Sequence, residues 1–149
     1  MLPLGLRTTS TLSADKQFIA ILSKLSQEEM GRYVKRVVRE KGVSIDLADT
    51  YRVQFLRFFA LAVHLQLNLA PTKAIDIFWH EFILYTRPYT EFCTRHCGFY
   101  FHHEPFDDET SGKDISETFN ADLVIDQHFT RLDLLQDDAA HKCASGQRR

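Results

Sequence analysis

Residues Asp46 to Gln66 read DLADTYRVQFLRFFALAVHLQ. Tyr51, Phe55, Leu56, Phe58, Phe59, Ala62, Val63 and Leu65 recur there at helical spacing, in an apolar band wide enough to be surrounded by other elements. The stretch predicts the central helix of a bundle, and the flanking chain is expected to pack around it.

Upstream, Ser13 stands as a cap for a segment whose Phe18, Ile19, Ile21, Leu22 and Leu25 share a face. The run SQEE, with Ser26 and Glu29, has the capping-box pattern ahead of Met30, Tyr33, Val34, Val37 and Val38. Gly42 then sits where a left-handed residue closes a helix. Downstream, Pro71 breaks the chain and Thr72 can cap a helix over KAIDIFWHEFILYT, with Ile75, Phe78, Trp79, Phe82 and Ile83 apolar. Pro88 fits the first turn of a further helix that runs to Gly98. After a polar loop, Ile115, Phe119, Leu123, Ile125 and Phe129 predict a last helix ending near Leu135. The expected fold is all-α, a compact bundle of about six helices with an irregular loop around His102 and His103 and no sheet. Residues 1–12 are expected as an N-terminal extension, 13–135 as a single helical domain, and 136–149 as a flexible C-terminal tail.

At 149 residues and 44% hydrophobic content, the chain suffices for one well-buried core. Lys and Arg total 18 against 20 acids, so a net charge of -2 gives no general attraction to nucleic acid or anionic lipid. No run approaches the roughly 20 apolar residues that span a bilayer. The N-terminus lacks the layout of a secretory signal, and three cysteines make a poor disulfide framework. A cytoplasmic protein with free thiols is expected.

His80, Cys93, His102 and His103 concentrate the groups able to bind a metal. Zinc takes imidazole and thiolate together, usually in fours. His80 and Cys93 lie at similar distances on either side of the corner near Arg87, and the chain beyond Gly98 is long enough to bring back His102 or His103. These residues are expected to hold one zinc ion, with Asp76, four residues before His80, placed to orient the imidazole. A plainer reading makes Trp79 a core aromatic and Cys93 and Cys97 small buried apolar groups. His64, His96, His128 and His141 are expected to be surface or satisfied polar residues. Asp107, Asp108 and Glu109 lack the spacing of a calcium loop.

The block PTKAIDIFWHEFILYTRPYTEFCTRHCGFYFHHEP resembles the signature of the glycine-rich-domain-containing-protein-like family, close to PTxxxDxxWHxHILxTxxYxxxCxxxFGxxxHHxP. Asp76, Trp79, His80, Ile83, Leu84, Thr86, Tyr89, Cys93, Gly98, His102, His103 and Pro105 occupy its positions. The resemblance implies a small, mostly helical domain, widespread in bacteria and fused to other modules in plants, and it implies no biochemical activity. Phe82 stands where many relatives have a second His, and Cys97 where an aromatic is usual.

No Gly-rich phosphate loop and no Ser/His/Asp order is present, and HEFIL places Leu84 where a zinc protease would carry its second His. The expected function is therefore that of a non-enzymatic, metal-stabilised interaction or adaptor module with a protein partner, and without nucleic-acid or membrane binding. Phe99, Tyr100, Phe101 and Phe106 either contribute to the partner surface or fold back as a lid on the core. The alternative is a metal-dependent hydrolase with a His/Cys-ligated zinc, using Glu81 or Glu104 as general base; a Cys/His hydrolase would instead use Cys93 as nucleophile.

Overall fold

The computed structural model describes residues 2–103 and 118–135. Six α-helices, α1 (Lys16–Ser26), α2 (Gly31–Lys41), α3 (Ile45–Leu65), α4 (Lys73–Ile83), α5 (Thr86–His96) and α6 (Ala121–His128), carry most of these residues, and 133–135 are helical as well. Two short 3-10 turns, Pro3–Gly5 and Thr11–Ala14, precede them. The expected tail at 136–149 lies outside the described residues, as do Glu104, Pro105, Phe106, the acidic run at 107–109, Ile115 and His141.

The central helix is α3. Ser44 caps it by accepting the Leu47 amide at 3.1 Å, and it buries Tyr51, Phe55, Leu56, Phe58, Phe59 and Leu61 against α1, α2, α4 and α6. Phe55 alone meets the rings of Phe58, Phe59, Phe78, Trp79, Phe82 and Phe92. Ala62, Val63 and Leu65 are only partly buried.

Two caps differ from expectation. Asp15, rather than Ser13, starts α1: its carboxylate accepts the Phe18 amide at 3.0 Å, and a negative charge there also complements the helix dipole. Ser13 lies in the preceding 3-10 turn, with its hydroxyl donating to Ser10 O at 2.7 Å. The SQEE run builds no capping box, since Ser26 is the last residue of α1 and donates back to Ser23 O. Glu29 accepts the Gly31 amide at 3.0 Å instead. Gly42, with φ 69°, ends α2 in the left-handed conformation as its position predicts.

A sheet was not expected, yet Asn68–Ala70 (β1) pairs in parallel with Thr118–Asn120 (β2), Leu69 opposite Phe119. Three-residue strands show no readable alternation, and the partners lie far apart in sequence. Phe119 is thus a strand residue, and the predicted last helix is interrupted over 129–132 before residues 133–135 turn helical again. Asn120 caps α6 by accepting the Asp122 and Leu123 amides, and the helix stops at His128 because Phe129 turns extended to bridge Leu6.

That bridge fastens the N-terminal stretch onto the bundle. Leu6 and Phe129 are buried, the Arg7 amide donates to His128 O at 2.8 Å, and the Thr130 amide donates to Gly5 O at 2.9 Å. Beneath them Arg57, 2% exposed on α3, donates to Leu4 O (2.9 Å), Thr130 O (3.0 Å) and Gln54 Oε1 (3.2 Å) and lies over the Phe129 ring. Burial draws the Arg57 pKa down to about 10, which still leaves it charged at neutral pH. Gly5 adopts φ +79°, and a Cβ there would come within 2.6 Å of Arg57 Nη2. Only glycine fits both the backbone and the space. No helix among the described residues is long and apolar enough to cross a membrane.

Candidate functional site

Helices α4 and α5 meet at a tight corner, with Tyr85 between them donating its amide to Phe82 O. Pro88 occupies the first turn of α5, as its missing amide allows. Helix α5 ends when the Cys97 and Gly98 amides both turn back to Cys93 O, with Gly98 at φ 78°. The chain then folds back along the corner. Trp79 Nε1–H donates to Tyr89 Oη at 2.8 Å, Tyr89 O–H donates to Phe101 O at 2.5 Å, and the Phe101 amide donates to Cys93 Sγ at 3.4 Å. The Phe101 ring packs on Trp79, Phe58 and Phe59. Burial pushes the Tyr89 hydroxyl well above its ordinary pKa, so it stays a donor. Both backbone groups of Phe101 are therefore held by side chains of the core. Its neighbours Phe99 and Tyr100 are left at the surface, 55% and 38% exposed.

The expected ligands are placed separately. His80 is exposed; it precedes the buried Phe82 by two residues, about 200° of helical turn, and so occupies the opposite side of α4. Cys93 is 1% exposed and its sulfur receives the Phe101 amide, which matches the plainer reading of a buried apolar thiol. His102 is exposed and rests edge-on against Tyr100. His103 lies on Trp79, with centroids 4.3 Å apart, and its Nε2 is 2.8 Å from Asp76 Oδ1. That contact is close but misaligned, and Asp76 Oδ1 has no hydrogen-bond partner. Among the described residues no three His, Cys, Asp or Glu side chains are grouped to hold a metal ion. Asp76 thus meets His103 and not His80. Of the four aromatic residues expected near the HH pair, Phe101 folds onto the core and Phe99 and Tyr100 face outward.

A family profile described as UCP032817-like matches residues 15–121. The chain belongs to that family. The UCP032817-like region runs from the Asp15 cap of α1 to the first residue of α6, and so contains the whole corner and its Trp79–Tyr89–Phe101 relay. The Leu6–Phe129 bridge lies beyond it on both sides. No curated protein and no solved structure is detectably similar.

Within the UCP032817-like region several further titratable groups are paired across elements. Glu28 accepts from Arg95 at 2.8 Å and lies 2.6 Å from His96 Nε2, joining the α1–α2 link to α5. Burial lowers the His96 pKa, outweighing the carboxylate beside it. Burial raises the pKa of Glu28, but the hydrogen bonds from Arg95 and His96 bring it below its ordinary value. A neutral imidazole donating to a carboxylate accounts for both directions. His64 lies 2.7 Å from Asp15, and outside the matched region His128 lies 2.7 Å from Ser10. These three histidines are satisfied polar residues, as expected. Glu81, 4% exposed, accepts from Arg36 at 2.6 Å and is not a free base for hydrolysis. Sequence reasoning missed Arg57, Glu28 and the Arg36–Glu81 pair because their partners are distant in the chain and carry no motif spacing.

A shallow groove of about 520 Å³ lies where the α1–α2 link meets the start of α3, lined by Met30, Val34, Lys35, Ile45, Asp49 and Arg52. Its Arg52 is paired with Asp49 at 2.7 Å.

Proposed function

We propose that the chain is a non-enzymatic interaction module that presents Phe99 and Tyr100 to a protein partner. The observation that carries this reading is the contrast at Phe101: its amide, carbonyl and ring are all anchored in the core, while the two aromatics before it are exposed. An aromatic side chain held on a rigid support binds with little further loss of conformational entropy, which is why such residues dominate interface energetics. The paired state of Glu81 and the burial of Cys93 favour binding over hydrolysis. Kinship with the glycine-rich-domain-containing-protein-like family belongs to the same proposal, supported by Asp76, Trp79, Tyr89, Cys93 and His103, motif residues that also build or flank the relay. Cytoplasmic residence is proposed with it, on the free thiols of Cys93 and Cys97. Zinc has less support as a four-ligand centre, since His80 and Cys93 occupy opposite environments.

A photo-crosslinking residue placed at Phe99 tests the reading in cells. A discrete adduct with another protein is expected, absent when the same probe replaces exposed Lys41 and lost on Tyr100→Ser with the melting temperature unchanged. Equal labelling from positions 99 and 41 would overturn it.

A further inference from the structure

Thr72 and Asp76 lie one turn apart on the flank of α4 that also carries Trp79. Thr72 occupies the N-cap position, yet its hydroxyl makes no capping bond. Thr72 Oγ1 and Asp76 Oδ1 are the buried side-chain oxygens without a hydrogen-bond partner among the described residues. Leaving such an atom unsatisfied costs about 1–3 kcal/mol, and more for a carboxylate, so each requires a physical reason. Facing Asp76 is His103, in ring contact with Trp79, its Nε2 2.8 Å from Asp76 Oδ1 without hydrogen-bond alignment. A carboxylate oxygen and an imidazole nitrogen at that separation need a positive charge between them, either the proton of an imidazolium or a metal ion, and the missing hydrogen-bond alignment disfavours the proton. Two donors each about 2.0–2.2 Å from one metal stand about 3 Å apart at the right angles of an octahedral site, close to the observed separation, and about 3.4 Å apart at the tetrahedral angle.

We propose that Thr72, Asp76 and His103 form a site for one divalent transition-metal ion of the zinc class, with water completing the coordination. The mixed nitrogen and oxygen donors favour such an ion over calcium or magnesium, which prefer oxygen alone. The site differs from the quartet read from the sequence: Asp76 becomes a ligand rather than an orienting group, and His80 and Cys93 take no part. Two features oppose the ion, the positive end of the α4 dipole and the nearby Lys73, and these hold the expected affinity to the micromolar range. The site does not depend on the Phe99 surface, so either proposal can fail alone.

The test is zinc titration by calorimetry of tag-free, chelator-stripped full chain. One equivalent is expected to bind. Asp76→Asn and His103→Gln should each weaken binding at least about tenfold, a change of 1.4 kcal/mol. Thr72→Val should weaken it less, and His80→Gln and Cys97→Ser not at all, with melting curves confirming that every variant folds. Cobalt substituted for zinc should give a visible spectrum that changes in His103→Gln and persists in His80→Gln. No uptake at about 1 mM zinc, affinity indifferent to Asp76→Asn and His103→Gln, or binding lost instead with His80→Gln or Cys97→Ser would each overturn the proposal.

Discussion

Two buried polar relays hold irregular chain against this bundle, and they do opposite things with it. On one side of α3 Arg57 reaches the carbonyls of Leu4 and Thr130, and the segments it gathers are sealed: Leu6 is 4% exposed and Phe129 fully buried. On another side of α3, where Phe58 meets the rings of Trp79 and Phe101, Trp79 and Tyr89 hold the carbonyl of Phe101, and the segment they gather leaves Phe99 and Tyr100 exposed. The first relay uses a guanidinium that stays charged at neutral pH despite its burial, and it joins segments some 120 residues apart in sequence. The second is neutral, spans only 22 residues from Trp79 to Phe101, and lies within the family region. A buried hydrogen bond to backbone can therefore either close a core or fix a surface. Which one results depends on whether the neighbouring side chains find room inside.

The sharpest test of this contrast is Arg57→Ala, the largest expected effect. It strands two backbone carbonyls and the Gln54 amide oxygen and removes the guanidinium that lies over the Phe129 ring, a loss of about 3–5 kcal/mol. Urea unfolding should show a global drop, and a change below about 1 kcal/mol would mean that water replaces the guanidinium without penalty. Tyr89→Phe should cost less, about 1–3 kcal/mol, because it leaves the Trp79 N–H and the Phe101 carbonyl unpaired. Its signature should also be local: Cys93, shielded in the wild type, becomes reactive to a thiol reagent under conditions where the bundle remains folded. Global unfolding without selective Cys93 labelling would erase the distinction between the two relays.

The smallest effect concerns the neutral His96. Its folded pKa lies below the ordinary 6.5, so its contribution to stability is complete above 6.5 and is lost as pH falls through the folded value. His128, also lowered by burial, acts in the same direction beside the Leu6–Phe129 bridge. The melting temperature should therefore decline as pH drops below 6.5, and His96→Gln should remove part of that slope while His128→Gln removes another part. Identical slopes in wild type and His96→Gln would show that His96 is already charged in the folded protein.

Much of the helical architecture was legible because its signals are local. The apolar band from Tyr51 to Leu61, Gly42 with its left-handed φ, and Pro88 in a first turn each act over a few residues, and the structure places them as their spacing predicts. The same locality made Asp15 and Ser13 hard to rank, since both are good caps and only the Phe18 amide distinguishes them. The β1–β2 pairing carried no such signal: three residues cannot display a period, and hydrogen bonds between strands are indifferent to side-chain type.

For the site, sequence alone determined which residues gather near the corner, namely Asp76, Trp79, Tyr89, Cys93 and the two histidines, because helix rise and loop reach limit where they can lie. Tertiary structure decided which of them meet. Rotation about the α4 axis sends His80 to solvent while Trp79 goes inward, and the Tyr89 hydroxyl draws Phe101 over Cys93. His103 is thereby left beside Asp76. Contacts of that kind depend on the packing of several helices at once, and no spacing along one chain specifies them.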